Sequence, residues 1–363
     1  MTTKRYLPPS ALNSFLEGLP QAVSISTIGK SVKGLPISLL TIGNGKTKIL
    51  MWSQMHGNET TTTKALFDFI PWFLNLEQRT LQNKFTLHII LQLNPDGSER
   101  YTRANANHVD LNRDAIDKFQ PESIALRNVY DSIQPDLCLN LHGQRTIYAA
   151  GVGGPSASLS FLAPAADFDR MLTPARIKAM HLISGIADSL AEVLPNAIGR
   201  YDDTFNPNCV GDSFTQSGTP TILFEAGHVP GDYQREQTKI HILNAYQALF
   251  EQLAEPSQPL ETIIYSNLPQ NKVEFCDLMV SNICLRVNGV DFVDQKIAIQ
   301  YKETLIDGRI EFLPEMVAYG SRLAVRAHKY KILPDALRSI PLQFKEESLV
   351  TDSRFNDVFA LNN

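Results

Sequence analysis

Four times along this chain an apolar run stops and a polar, chemistry-bearing residue stands at its end. The run 49–52 leads to His56, 85–93 to Asn94, 136–141 to His142 and 220–224 to Glu225. Between the runs lie stretches with helical spacing. In 60–75 the residues Ala65, Leu66, Phe69, Trp72 and Phe73 recur at three- and four-residue intervals, with threonines placed as N-caps and Pro71 as a kink. The stretches 122–133, 174–194 and 235–253 read the same way. Strands alternating with helices build a mixed, mainly parallel α/β sheet. Ligands of such sheets bind beyond the carboxyl ends of the strands, so the pattern gathers His56, Asn94, His142 and Glu225 at one edge.

Turn signals refine this picture. Gly43-Asn44-Gly45 reads as a tight turn joining a strand at 35–42 to the strand at 49–52, and Asn94-Pro95-Asp96-Gly97 as a second turn. Glu255-Pro256-Ser257-Gln258-Pro259 reads as a linker, dividing an α/β domain, 1–255, from a small β-rich appendage, 256–363. In the latter, 273–285, 290–301 and 309–312 are β-like, with Asn288-Gly289 a hairpin turn. The segment 151–170, rich in Gly, Ala and Ser, reads as a loop covering the site.

With 43% hydrophobic and 20% charged residues the chain is neither disordered nor a coiled coil. Its net charge of −5 offers no basic face to nucleic acid or an anionic membrane, and neither partner is expected. The four cysteines form no CxxC pair and read as reduced, mostly buried thiols. No apolar run reaches membrane-spanning length, and Pro8, Pro9 and Pro20 break the start where a signal peptide needs an apolar core. The expected location is the cytoplasm.

A His and a Glu three apart on one turn can both reach one cation, and a His from another strand supplies a third ligand while leaving a position open for water. His56, Glu59 and His142 offer that set. Such a site around Zn²⁺ makes hydroxide available at neutral pH, and Glu225, at a fourth strand end, is placed to serve as general base. The stretch from Arg103 to Asp114 adds Arg103, Asn112 and Arg113 shortly after Asn94. Arginines there suit a substrate with a carboxylate end and can stabilise an oxyanion.

His56-Gly57-Asn58-Glu59, Asn94-Pro95-Asp96-Gly97, Asp110-Leu111-Asn112-Arg113, Asn140-Leu141-His142 and Thr221-Ile222-Leu223-Phe224-Glu225 follow one another in the order seen in zinc carboxypeptidases. Over roughly residues 35–250 the chain resembles the carboxypeptidase A-like superfamily. The resemblance implies an eight-stranded sheet between helices and one zinc held by His56, Glu59 and His142. It implies Glu225 as base and proton shuttle, Asn112 and Arg113 on the substrate's terminal carboxylate, and Arg103 on the oxyanion. Asp110 looks like the carboxylate that accepts a hydrogen bond from the first zinc histidine.

There are departures from the family pattern. Asn58 stands where the digestive enzymes have an arginine, and the His-Gly-Asn-Glu form is similar to that of relatives cleaving N-acyl amino acids, such as aspartoacylase and succinylglutamate desuccinylase. Tyr201, 24 residues before Glu225, is the candidate for the tyrosine that covers the substrate. The family's side-chain pocket falls near Val210-Gly211, with Asp212 close enough to invert its preference. His228 reads as a hydrogen-bonded neighbour. The expected activity is hydrolysis of a C-terminal peptide bond in a peptide or N-acyl amino acid with a free carboxylate. Its rivals are an N-acyl amino acid or peptidoglycan-peptide amidase on the same fold and a non-catalytic peptide-binding module.

Overall fold

The computed structural model describes residues 5–255, 263–343, 350 and 352–361. The strands β1 (Ser24–Lys30), β2 (Pro36–Gly43), β3 (Thr47–Ser53), β4 (Phe85–Ile90), β5 (Leu137–Gly143), β7 (Leu159–Leu162), β8 (Ile198–Arg200) and β9 (Thr221–Ala226) form one sheet, while β6 (Tyr148–Ala150) lies outside it. Their spatial order is β1-β2-β4-β3-β5-β9-β7-β8. The centre, β4-β3-β5-β9, is parallel, and β1, β2 and β7 each meet a neighbour antiparallel. This is the mixed, mainly parallel eight-stranded α/β sheet expected.

The apolar runs are continuous because both sheet faces are covered. Ile49 and Met51 of β3 point into a cluster with Phe69, Phe73, Ile183 and Phe250 from the helices Thr61–Leu74, Pro174–Ser189 and Glu236–Ala254. Leu50 and Trp52, one residue out of phase, join Leu126, Tyr130 and Phe214 from Pro121–Ile133 and Val210–Gln216. Trp52 is fully buried, its ring edge-on to Phe214 at 5.5 Å.

Three local expectations are corrected. β2 and β3 are no hairpin, because β4 lies between them, antiparallel to β2 and parallel to β3. Gly45 serves that insertion: a Cβ there would lie 1.9 Å from the Lys84 carbonyl carbon, so only glycine lets β4 enter so closely. Asn94-Pro95-Asp96-Gly97 opens the helix Pro95–Arg100 instead of turning, with Asn94 Oδ1 accepting from Gly97 N at 2.8 Å and proline at the first helical position. The segment 151–170 is no cover. It contains β7, seated between β9 and β8 with Leu159 and Phe161 fully buried. The polar-rich β1 carries too little apolar alternation to be read from sequence, whereas the helix Pro9–Glu17 does have its signal in Ala11, Leu12, Phe15 and Leu16 behind Pro9.

Of the expected linker, 256–259 lie outside the described residues. Beyond it, β10 (Asn271–Val273) pairs with β6, and β11 (Phe275–Val287), β12 (Val290–Ile306), β13 (Arg309–Gly320), β14 (Arg326–Ile332) and β15 (Leu342–Gln343) form a second sheet. Asn288 and Gly289, both at positive φ, turn the β11–β12 hairpin as predicted. This sheet is not a free appendage. Arg5 Nε donates to Glu303 Oε2 on β12 at 3.0 Å, and Arg326 Nη1 to Gly153 O at 3.2 Å. Among the described residues no helix is long and apolar enough to cross a membrane.

Candidate metal centre and active site

His56 follows β3 on the turn into the helix Thr61–Leu74. That turn rests on the start of the helix Pro95–Arg100. A Cβ on Gly57 would come within 2.0 Å of the Gly97 carbonyl carbon, so glycine is required at this approach. Gln54, at φ 43°, braces the turn by donating through Nε2 to Gly57 O at 2.8 Å and Ser98 Oγ at 2.9 Å. His142 stands near the end of β5, directly opposite Glu225 of β9 in the parallel register.

His56 Nδ1 lies 2.8 Å from Glu59 Oε1, His142 Nδ1 2.9 Å from Glu59 Oε2, and the two Nδ1 atoms are 3.1 Å apart. Gly143 N donates to Glu59 Oε2 at 3.0 Å. His56 Nε2 donates to Asp110 Oδ1 at 2.9 Å, which leaves a lone pair on Nδ1 facing the cluster. Two imidazole lone pairs and a carboxylate within 4.8 Å of one another, all buried or nearly so, form a donor set that one divalent cation satisfies. The residues present therefore fit a zinc ion.

The electrostatics agree. Burial penalises the Glu59 carboxylate, but the two imidazoles overrule it and hold its pKa well below the usual range. Burial also dominates at Glu225, where the negative Glu59 adds to it, and this carboxyl is driven well above its ordinary value. Glu225 Oε2 is buried without a hydrogen-bond partner among the described residues, as is His142 Nε2.

Arg103 grips Asp110 Oδ2 through Nε at 3.1 Å and Nη2 at 3.0 Å, while Nη1 reaches 3.4 Å from Glu59 Oε1. Asn112 Oδ1 accepts from Val210 N at 3.0 Å, which aims its amide nitrogen elsewhere. Arg113 Nη1 donates to Asn112 O at 2.7 Å and lies 3.0 Å from Cys209 Sγ, with no carboxylate partner among the described residues. Asp114 does not pair with it, being occupied by Phe119 N and Gln120 N.

All nine residues singled out in the sequence lie around one cavity of about 740 Å³ except Asp110, which stands behind His56. Tyr201 is on its wall with its ring 5.5 Å from Tyr148, and Gly211 and Asp212 line it too. Burial pushes the Asp212 carboxyl up to about 7. His228 is buried against His328 and Tyr233 and does not line the cavity. Sequence reasoning missed Arg5, Arg145 and the part played by β12 and β13, whose Gln300, Lys302, Glu303 and Glu315 form one wall. The only signal was the charged pair Lys302-Glu303 following the apolar stretch of β12.

Residues 10–153 match the family model described as zinc carboxypeptidase. The chain is 30% identical over 155 residues to carboxypeptidase SOL1 of Arabidopsis thaliana, covering 37% of this chain and 31% of that protein. It spans less than half the length of the curated relatives it matches. Its fold is similar to that of a metallo-carboxypeptidase from Burkholderia cenocepacia, with a TM-score of 0.53, 18% identity and coverage of 69% of this chain and 71% of that chain. A metallo-carboxypeptidase from Pseudomonas aeruginosa, in complex with (2-guanidinoethylmercapto)succinic acid, gives a TM-score of 0.54 at 17% identity with the same coverage. The matched segment contains His56, Glu59 and His142, and the sheet that carries them is similar in fold to that of these metallo-carboxypeptidases.

Proposed function

We propose that this protein is a zinc-dependent carboxypeptidase, binding one zinc per chain and hydrolysing the terminal amide bond of a substrate with a free carboxylate. The observation that carries this reading is the partnerless Oε2 of Glu225 in the same cavity as the converging His56, Glu59 and His142. Zinc, when held by those three, supplies a Lewis acid that polarises a carbonyl and brings the pKa of a water towards 7. Glu225 takes a proton at Oε2 from the attacking water and delivers it to the leaving nitrogen. Asp110 keeps His56 in one tautomer and orientation.

Asn112 and Arg113 hold the substrate carboxylate, Arg113 being free of protein carboxylates and Asn112 oriented by Val210 N. Arg103 meets the developing oxyanion with Nη1 while Asp110 fixes the rest of its fork. Tyr201 covers the substrate from the wall it shares with Tyr148. The wall from β12 and β13, which borders the same cavity, keeps a second reading open, an N-acyl amino acid or peptidoglycan-peptide amidase acting through the same residues. All four thiols are unpaired, which supports a reducing, cytoplasmic setting.

The test compares a peptide with its C-terminally amidated form on the zinc-loaded protein. Cleavage of the free acid alone is expected, and Arg113→Ala should raise KM by about 10- to 100-fold with kcat nearly kept. Equal cleavage of the amidated peptide would refute the carboxypeptidase reading and leave an endo-acting amidase.

A further inference from the structure

The cavity carries two cations, one on the loop after β5 and one on β12, that the described residues leave unpaired. Arg145 and Lys302 both line the cavity, and the charged side chain of neither makes a hydrogen bond or ion pair with another described residue. The other cationic groups around the cavity differ. Arg5 is paired with Glu303 and Arg103 with Asp110, Arg235 Nη2 donates to Gln144 O at 3.1 Å, and Arg113 Nη1 donates to Asn112 O at 2.7 Å.

Arg145, on the loop after β5, and Lys302, on β12, belong to segments joined by one buried hydrogen bond. Gln300 Nε2 donates to Thr146 Oγ1 at 2.6 Å and also to Asp277 Oδ2. His328 Nε2 donates to Thr146 O at 2.7 Å from the other side. Arg145 precedes Thr146, and Lys302 lies two residues beyond Gln300, on the same side of β12 by the strand's period of two. The bond thus ties together the two backbone segments that carry the charges. Glu315, across from Gln300 in the β12–β13 register, is the unpaired acid of the same wall, so the free groups there balance to a positive charge.

A substrate carboxylate held at Arg113 leaves the rest of the cavity to the acyl side of the scissile bond. We propose that Arg145 and Lys302 form a subsite for an anionic group on that acyl portion, such as an acidic side chain on the residue before the cleaved bond, with Gln300 as the residue that positions them. The inference rests on the carboxypeptidase reading above. It makes the second sheet a determinant of specificity: the guanidinium fork takes the anion, Lys302 adds a second charge, and Glu315 disfavours a second anion beyond it.

Three peptides sharing one C-terminal residue test it: acetyl-Glu-Phe, acetyl-Gln-Phe and acetyl-Lys-Phe, with zinc-loaded wild type, the Arg145→Ala/Lys302→Ala double variant and Lys302→Glu. At low salt the wild type should prefer acetyl-Glu-Phe over acetyl-Gln-Phe by about tenfold in kcat/KM. The ratio should fall to about one in the double variant, and Lys302→Glu should shift preference towards acetyl-Lys-Phe. Both positions are exposed, so melting curves of the variants should overlay the wild type. A wild-type ratio at or below one overturns the subsite. If none of the peptides is cleaved, the activity reading fails instead, and calorimetry with N-acetylglutamate and N-acetylglutamine decides: tighter glutamate binding, lost in the double variant, supports the subsite, and equal binding overturns it.

Discussion

The Nδ1 atoms of His56 and His142 face each other at 3.1 Å with the Glu59 carboxylate closing the third side. Without a cation this arrangement sets lone pairs against one another in a buried place, so the folded state should bind metal far more tightly than the unfolded chain. Zinc at a hundred times its Kd should stabilise the protein by about 2.7 kcal/mol. Elemental analysis should find one zinc per chain, and His142→Ala should lose both metal and stabilisation. A melting temperature indifferent to chelator would refute the centre.

Glu225→Gln keeps the size of the side chain and removes its ability to take a proton. Because Glu225 does not touch the ligand set through any hydrogen bond, metal content should stay at the wild-type level while kcat falls by about 10²- to 10⁴-fold. Retained turnover with retained zinc would assign the base elsewhere.

The parts of this site that could be read from the sequence share a physical cause. His56, Glu59, His142 and Glu225 stand where strands end, and strand ends are marked by hydrophobic runs that stop. Strand order is different in kind. That β4 slips between β2 and β3 depends on Gly43 and Gly45 meeting the backbone at 84–85, a contact between distant segments that no local pattern announces. The helix Pro95–Arg100 was misread because Asn-Pro-Asp-Gly serves equally as a turn and as a cap with proline at its first helical position. Arg145 and Lys302 escaped because they meet only through the hydrogen bond of Gln300 to Thr146, which joins positions 154 residues apart.

Asp212 gives a pH signature of stability. Burial raises its carboxyl to about 7 in the folded protein against about 3.8 unfolded, so the folded state holds the extra proton between these values and loses stability as pH rises from 4 to 7. Asp212→Asn removes the cost of ionising a buried group. Its advantage over wild type should be absent near pH 3, grow through pH 7 to at most about 4 kcal/mol, and stay level above. Denaturant melts at pH 4, 6 and 8 measure it; an advantage that shrinks with rising pH would refute the assignment.

Glu303 is the carboxylate for Arg5, and Tyr101 Oη also donates to it. Glu303→Gln would strand the buried Arg5 guanidinium and should cost about 3 kcal/mol in urea unfolding. The double variant Arg5→Met/Glu303→Leu should recover most of that loss. If the single variant is as stable as wild type, the pair does not hold the second sheet in place.

Arg5 and Glu303 are 298 positions apart, and the salt bridge between them borders the cavity. During synthesis every residue of the metal centre and the base emerges by position 225, some eighty positions before the partner of Arg5. A growing chain therefore carries every residue of the centre before the strand that walls the cavity has been made. The wall that Gln300, Lys302, Glu303 and Glu315 give the cavity is thus the last part of it to be made, and a chain nicked before β12 would keep the residues of the centre without that wall.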